Sequence, residues 1–148
     1  MSEEEELMAK KNHIVDHLQA EMEFDKFCEA WYIDNEVDTM KSDEDRDSFL
    51  KCKREIIRYV RDGHANFSED GTEVKLVLRK VVLGKEEVSL KVPTGTAFMA
   101  MDQYKEGKHV HKFHAFMADV AKVSPVMLSK MSGIDIRFFQ QVFSLFLG

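Results

Sequence analysis

The sequence predicts a single α+β domain, mostly helical, with a small antiparallel β-hairpin or three-stranded meander at about 65–95 packed against N- and C-terminal helices. Three observations lead there. Between Phe67 and Gly95, apolar residues alternate in the manner of half-buried strands: Val74, Leu76 and Leu78 on one phase, Val81 and Leu83 on the other, then Val88, Leu90 and Val92. On either side of this stretch, apolar residues recur at helical spacing. A length of 148 residues, 44% of them hydrophobic, supplies one core and falls short of two. An isolated hairpin is marginal in water, so helices must cover it. The domain, 1–148, thus divides into an acidic helical region 1–63, a β-meander 64–93 and a helical region 94–148.

In chain order, Ser2 and Glu5 have capping-box spacing and start one long helix or two collinear ones. Leu7, Ile14, Leu18 and Met22 form a thin apolar stripe, followed by Phe24, Phe27, Cys28, Trp31 and Tyr32 at i, i+3, i+4, i+7 and i+8, an aromatic face for packing. Residues 34–41 are a polar connection. Ser42 caps a second helix, with Asp43, Glu44 and Asp45 in its first turn and Arg54, Arg58 and Arg61 towards its end, the charge order that suits the helix dipole. Phe49, Cys52, Ile56 and Val60 mark its inner side, with Ile57 adjacent, and Gly63 stops it.

Ala65 to Ser68 forms a short first strand, turned by Asp70-Gly71. The phase change in the next strand implies a bulge. With Gly84-Lys85 as the turn, Val81 faces Val88; one extra residue at Arg79-Lys80 then sets Leu78 opposite Leu90 and Leu76 opposite Val92, all six on one face. Pro93 ends the last strand, and Thr94-Gly95-Thr96 opens a short helix through Tyr104 with Phe98 and Met101 inward. A helix from about His109 to Val123 carries Val110, Phe113, Phe116, Met117 and Val120. Ser124-Pro125 starts a short helix ending near Gly133. The last helix, Ile134 to Leu147, leaves only Arg137, Gln140, Gln141 and Ser144 for solvent and must dock its apolar stripe.

Charge narrows the function classes. Residues 1–70 carry 20 acidic and 10 basic side chains, a balance of −10, whereas 71–148 carry 7 and 11, a balance of +4. Scattered basic residues and net −6 give no nucleic-acid footprint. No apolar run approaches the roughly 20 residues that span a bilayer, and Glu3 to Glu6 are the opposite of a signal peptide's basic start, so a cytoplasmic location is expected. Cys28 and Cys52 each fall on the apolar side of a helix and read as reduced, buried thiols.

Catalytic patterns are missing: there is no phosphate-binding glycine loop, no CxxC and no serine–histidine or paired-carboxylate arrangement. His109, His111 and His114 bring three imidazoles within six residues, without a fourth ligand or a carboxylate nearby. His13 and His17 lack the intervening glutamate of the zinc-protease pattern. No cofactor or metal is assigned, and function is expected to lie in surfaces.

Four segments carry a resemblance: Val74-Lys75-Leu76-Val77-Leu78-Arg79; Val88-Ser89-Leu90-Lys91-Val92-Pro93-Thr94-Gly95; Leu128 to Asp135; and Val142 to Gly148. Over roughly half the chain, this order of hairpin, strand ending in Pro-Thr-Gly, helices and Asp-bearing final helix resembles the tail assembly chaperones of tailed bacteriophages, Mu-like and related. Lys91-Val92 stands where an arginine is more usual. The resemblance implies a non-enzymatic protein of the host bacterial cytoplasm, absent from the mature virion. Such a protein binds the tape measure protein, keeps it soluble and helps recruit tail tube protein, with homo-oligomers possible and no nucleic-acid or membrane partner. Nine methionines, Met99, Met101, Met117, Met127 and Met131 among them, suit a surface that repacks around variable helices. The expected partner-binding residues are Phe113, Phe116, Met117, Phe138, Phe139, Val142, Phe143 and Phe146; the competing reading places the same side chains in the core over the hairpin. Two other classes are a virion structural or connector protein of tail or neck, and a small metal-binding regulatory protein using the histidine cluster.

Overall fold

In the computed structural model, residues 15–147 are described. Helix α1, His17–Ala30, is capped by Asp16, whose Oδ1 accepts from the Gln19 amide at 2.8 Å. The earlier start at Ser2-Glu5, together with Leu7, His13 and Ile14, lies outside the described residues. A 3₁₀ turn at Val37–Thr39 follows, then α2, Asp43–Arg61, whose Ser42 hydroxyl accepts from the Asp45 amide at 3.1 Å. Strands β1 (Ala65–Phe67), β2 (Glu73–Val82) and β3 (Lys85–Lys91) form an antiparallel sheet in the order β1-β2-β3. Four helices complete the chain: α3 (Gly95–Asp102), α4 (His109–Ala121), α5 (Pro125–Lys130) and α6 (Gly133–Leu147). The domain is therefore α+β, as its patterning implies.

One sheet face, with Ala65, Val74, Leu76, Leu78, Val82, Val88 and Leu90, is buried under the helices. Aromatic rings join the layers. Phe27 of α1 stacks on Phe67 of β1 at 5.0 Å, Phe24 meets Phe49 of α2 at 6.0 Å, and Trp31 reaches Phe146 of α6 at 5.6 Å. The Trp31 indole N–H donates to the Thr72 carbonyl at 3.1 Å, so this buried donor is paired.

The strand register differs from expectation. The turn sits at Leu83-Gly84, where φ is +50° and +79°, the two positive values of a type I′ turn, and Val82 pairs with Lys85. Val74 lies opposite Leu90 and Leu76 opposite Val88, not Val92; residues 78–81 face Glu86 alone, a larger bulge than one extra residue. Val81 consequently points to solvent, and Val82 takes the inner position.

The bulge has a partner far along the chain. It frees the Arg79 N–H, which donates to the Asp135 carboxylate at 2.9 and 3.2 Å. Asp135, only 1% exposed, sits in the first turn of α6, where the Ser132 hydroxyl accepts from the Asp135 amide at 3.2 Å and negative charge suits the helix terminus. Beside it, the Tyr59 hydroxyl donates to the Ile134 carbonyl at 2.6 Å. Asp135→Ala removes the carboxylate that accepts a part-buried amide and is expected to cost about 2 kcal/mol, whereas Asp135→Asn, which keeps one oxygen, costs about half as much. Urea denaturation of both variants measures the difference.

Three further positions depart from expectation. Tyr32 is 93% exposed because α1 stops at Ala30 and Tyr32 adopts φ +57°, which takes it off the aromatic face. In α3 the fully buried residue is Ala97; Phe98 is 40% exposed and lays its edge against Phe116 at 5.2 Å, while Met101 is half-buried. Val110 faces solvent at the start of α4, before the helix reaches the core at Phe113.

His64 links α2 to β1 and accepts the Val77 amide on its carbonyl at 2.7 Å. Burial, aided by the positive charge of Arg79, holds its imidazole below the ordinary 6.5, against the opposing pull of Asp62 and Asp135. The unfolded chain therefore takes up the proton at higher pH than the folded one. This residue's contribution to stability is complete above about pH 6.5 and is lost as pH falls through the lower folded value. In His64→Gln, the urea midpoint should fall less steeply than in the parent below pH 6.5.

Candidate partner-binding surface

Of the eight residues expected at the interface, Phe113, Phe116, Met117, Phe138, Phe139 and Val142 are buried, and Phe143 and Phe146 are half-buried. Together they form the junction of the helices. Phe116 contacts Phe98, Phe143 and Phe146 with centroids 5.2, 5.3 and 5.7 Å apart, Phe113 meets Phe143 at 5.3 Å, and Phe138 packs on Tyr59 at 5.2 Å. The physical reason is supply: a three-stranded sheet offers one apolar face, and α4 and α6 carry the side chains that cover it. In this conformation, a partner can touch only the outer edges of Phe143 and Phe146.

The Phe143 edge opens onto a cleft of about 770 Å³ between α2, the 34–41 connection and α6. Its apolar lining comes from Met40, Phe49, Cys52, Phe143 and Leu145. Ser48, Gln141 and Ser144 stand around it, and Lys41 and Lys51 alternate with Asp34 and Asp45 at the rim. An apolar strip flanked by hydroxyls, an amide and charges of both signs matches an amphipathic helix better than a small charged ligand. Met40 comes from the stretch read as a polar connection. Its one sequence signal was the pair Val37 and Met40, three apart in an otherwise polar run, and both pack against the core.

A second apolar surface lies on the α3–α4 pair, where Phe98, Met99, Tyr104 and Val110 are all exposed to some degree. Met99 is the one of the five named methionines that stands free: Met117, Met127 and Met131 are buried and Met101 is half-buried.

The histidines spread out. His109 and His111 are exposed, His111 lying 5.4 Å from the Tyr104 ring, whereas His114 is half-buried against Phe113 at 5.4 Å. Among the described residues, no group of three histidine, cysteine or acidic side chains is placed to hold a metal ion. Burial pushes the Cys28 thiol up to about 12 and raises Cys52 as well, so neither is poised as a thiolate nucleophile. No described helix is long and apolar enough to cross a membrane.

The fold and this surface define a small α+β domain with an open, half-apolar cleft. No family model, no curated protein and no solved structure matches the chain.

Proposed function

We propose that this chain is a phage tail assembly chaperone that binds the tape measure protein, keeps it soluble and promotes tail tube assembly without catalysing a reaction. The observation that carries the reading is the cleft beside Phe143, which has the lining and openness to receive one apolar stripe of a long helix. The resemblance adds support, because two of its segments meet in space: Arg79, closing Val74–Arg79, donates its amide to Asp135, closing Leu128–Asp135. A device that locks the bulged strand to the last helix holds the α6 wall of the cleft in place. The site of action on this reading is the host cytoplasm.

The test is co-expression with the tape measure protein encoded in the same genome, scoring soluble tape measure and copurification. Ser48 and Ser144 line the cleft and are exposed, so Ser48→Arg with Ser144→Arg fills it without touching the core. The parent should hold the tape measure in a soluble complex and the double variant should lose it while remaining folded. A tape measure that precipitates equally with and without the parent defeats the proposal. Stoichiometric presence of the chain in purified particles would instead assign it to the virion.

A further inference from the structure

Strand β3 is an edge of the sheet, paired with β2 on one side and with no other described strand. The Val77 N–H donates to the His64 carbonyl at 2.7 Å and the Ser68 N–H to the Glu73 carbonyl at 2.8 Å, so Glu73, Lys75 and Val77 turn their backbone groups toward β1. Val74 and Leu76 therefore turn theirs toward β3, where they meet Leu90 and Val88. By the same alternation Glu87, Ser89 and Lys91 point their N–H and C=O groups outward, and among the described residues no backbone group outside the sheet pairs with them. Glu87 and Lys91 are exposed and Ser89 is half-buried, so the row is open. It is regular only from Glu87 to Lys91. The bulge opposite Glu86 interrupts it at one end, and at the other Pro93 has no N–H to extend it.

An unpaired edge invites another strand, and charges normally keep strands off it. Here the charges have opposite signs and stand symmetrically about Ser89, Glu87 two residues before it and Lys91 two after. A two-fold axis through Ser89 sets Glu87 of one copy opposite Lys91 of the other, twice, with Ser89 facing itself. All three pairs join outward-pointing backbone groups, and each exchanges two hydrogen bonds. The same register sets Val88 opposite Leu90, so the buried apolar face runs unbroken from one sheet into the next. The neighbouring registers fail. An axis at Glu87 faces that carboxylate with itself, one at Val88 brings Lys85 against Lys91, one at Leu90 leaves Glu87 opposite Pro93, and one at Lys91 opposes two ammonium groups.

On the outer face the signs alternate across the joined sheets. Glu73 stands opposite Lys91 within the chain and Lys75 lies 3.6 Å from Glu87, so each charge at the junction has an opposite charge on either side. Over the sheet, α2 covers β1, α6 covers β2, α4 covers β3 and α3 packs on α4. The exposed Phe98 and Met99 of α3 thus stand on the β3 side of the domain and extend the apolar area available to a second copy.

We propose that two copies of this chain join β3 to β3 in antiparallel fashion, two-fold about Ser89, so that their three-stranded sheets become one. The cleft beside Phe143 lies between α2 and α6, away from β3, and each copy keeps it. The inference stands whether or not that cleft receives the tape measure protein.

Sedimentation of the full chain over about 1 µM to 1 mM should show a reversible monomer–dimer equilibrium. Glu87→Lys and Lys91→Glu each replace both attractive pairs by repulsive ones, and each should weaken the dimer at least about tenfold. An equimolar mixture of the two variants should restore it as a heterodimer, because Lys91 of the first then meets Glu87 of the second and the two introduced charges meet each other. Amide exchange of the parent locates the contact: protection at Glu87, Ser89 and Lys91 should rise with concentration, while Val88 and Leu90, bonded to β2, are protected throughout. Ser89→Pro, which removes an outward N–H and no bond to β2, should abolish the dimer and leave the chain folded. A parent that stays monomeric at about 1 mM overturns the proposal, as does a dimer indifferent to both charge reversals or a mixture that does not recover. Concentration-dependent protection on another element, with none on β3, assigns the contact to a different face and overturns it too.

Discussion

Phe116→Ala is expected to lower stability by about 4 kcal/mol, the largest effect of any single truncation considered for this protein. The residue is fully buried, and its ring is shared by Phe98 of α3 and by Phe143 and Phe146 of α6, so the loss removes the contacts of α4 with two other helices at once. The cavity cannot close cheaply. Phe143 is held on its other side by Phe113, and Phe146 by Trp31, so collapse toward the void would break the contact between α1 and α6. For a domain of this length, each kcal/mol moves the melting temperature by about 2–4 °C, so a drop on the order of 12 °C is expected by calorimetry. Phe116→Leu, which keeps most of the volume, should cost about 1 kcal/mol. Equal losses in the two variants would show that the aromatic junction does not act through packing volume.

Gly71→Ala is expected to cost about 3 kcal/mol, from two sources. Gly71 adopts φ +78°, a conformation that a side chain makes unfavourable. In addition, a Cβ there would stand 2.7 Å from the Lys26 carbonyl oxygen, 2.8 Å from its carbon and 2.9 Å from the Phe27 nitrogen. These are backbone atoms of α1 and cannot rotate aside. Either the β1–β2 loop lifts, pulling Thr72 from the Trp31 indole, or α1 shifts and loosens Phe27 on Phe67. Gly84→Ala separates the two sources. It has nearly the same φ, +79°, but nothing within 4 Å of its Cβ position, so only the torsional part, about 1 kcal/mol, should appear. Comparable losses at the two glycines would show that the close approach of loop and helix contributes nothing.

Both predictions concern contacts between elements distant in sequence, and the same distinction governs the candidate surface. Mapping α4 and α6 by their apolar stripes correctly found the residues that matter to the fold, yet a stripe alone does not say whether its partner is the protein's own sheet or another molecule. Phe138 and Phe139 read the same as Phe143 in the sequence; burial separates them, because α6 turns Phe138 and Phe139 inward while Phe143 lies at the rim of a cleft. The cleft has a third wall in Met40, which no periodicity connects to α6.

What the sequence by itself determined was local: the α+β class, the three strands, the caps at Ser42 and Ser124, the glycine stop after α2, and the inner phase of Val74, Leu76, Val88 and Leu90. Each rests on a period or on turn chemistry within a few residues, which the local backbone obeys wherever it lies. Only the tertiary structure decided the strand register, the end of α1 before Tyr32 and the exposure of Val81. Register shows why. Pairing Leu76 with Val88 or with Val92 satisfies alternation equally well, since the two positions share a phase. The choice goes with a type I′ turn at Leu83-Gly84 and with a buried carboxylate on α6, 56 residues from Arg79, which accepts the amide that the bulge sets free. A buried amide needs an acceptor, and folding brings this one to it from the far end of the chain.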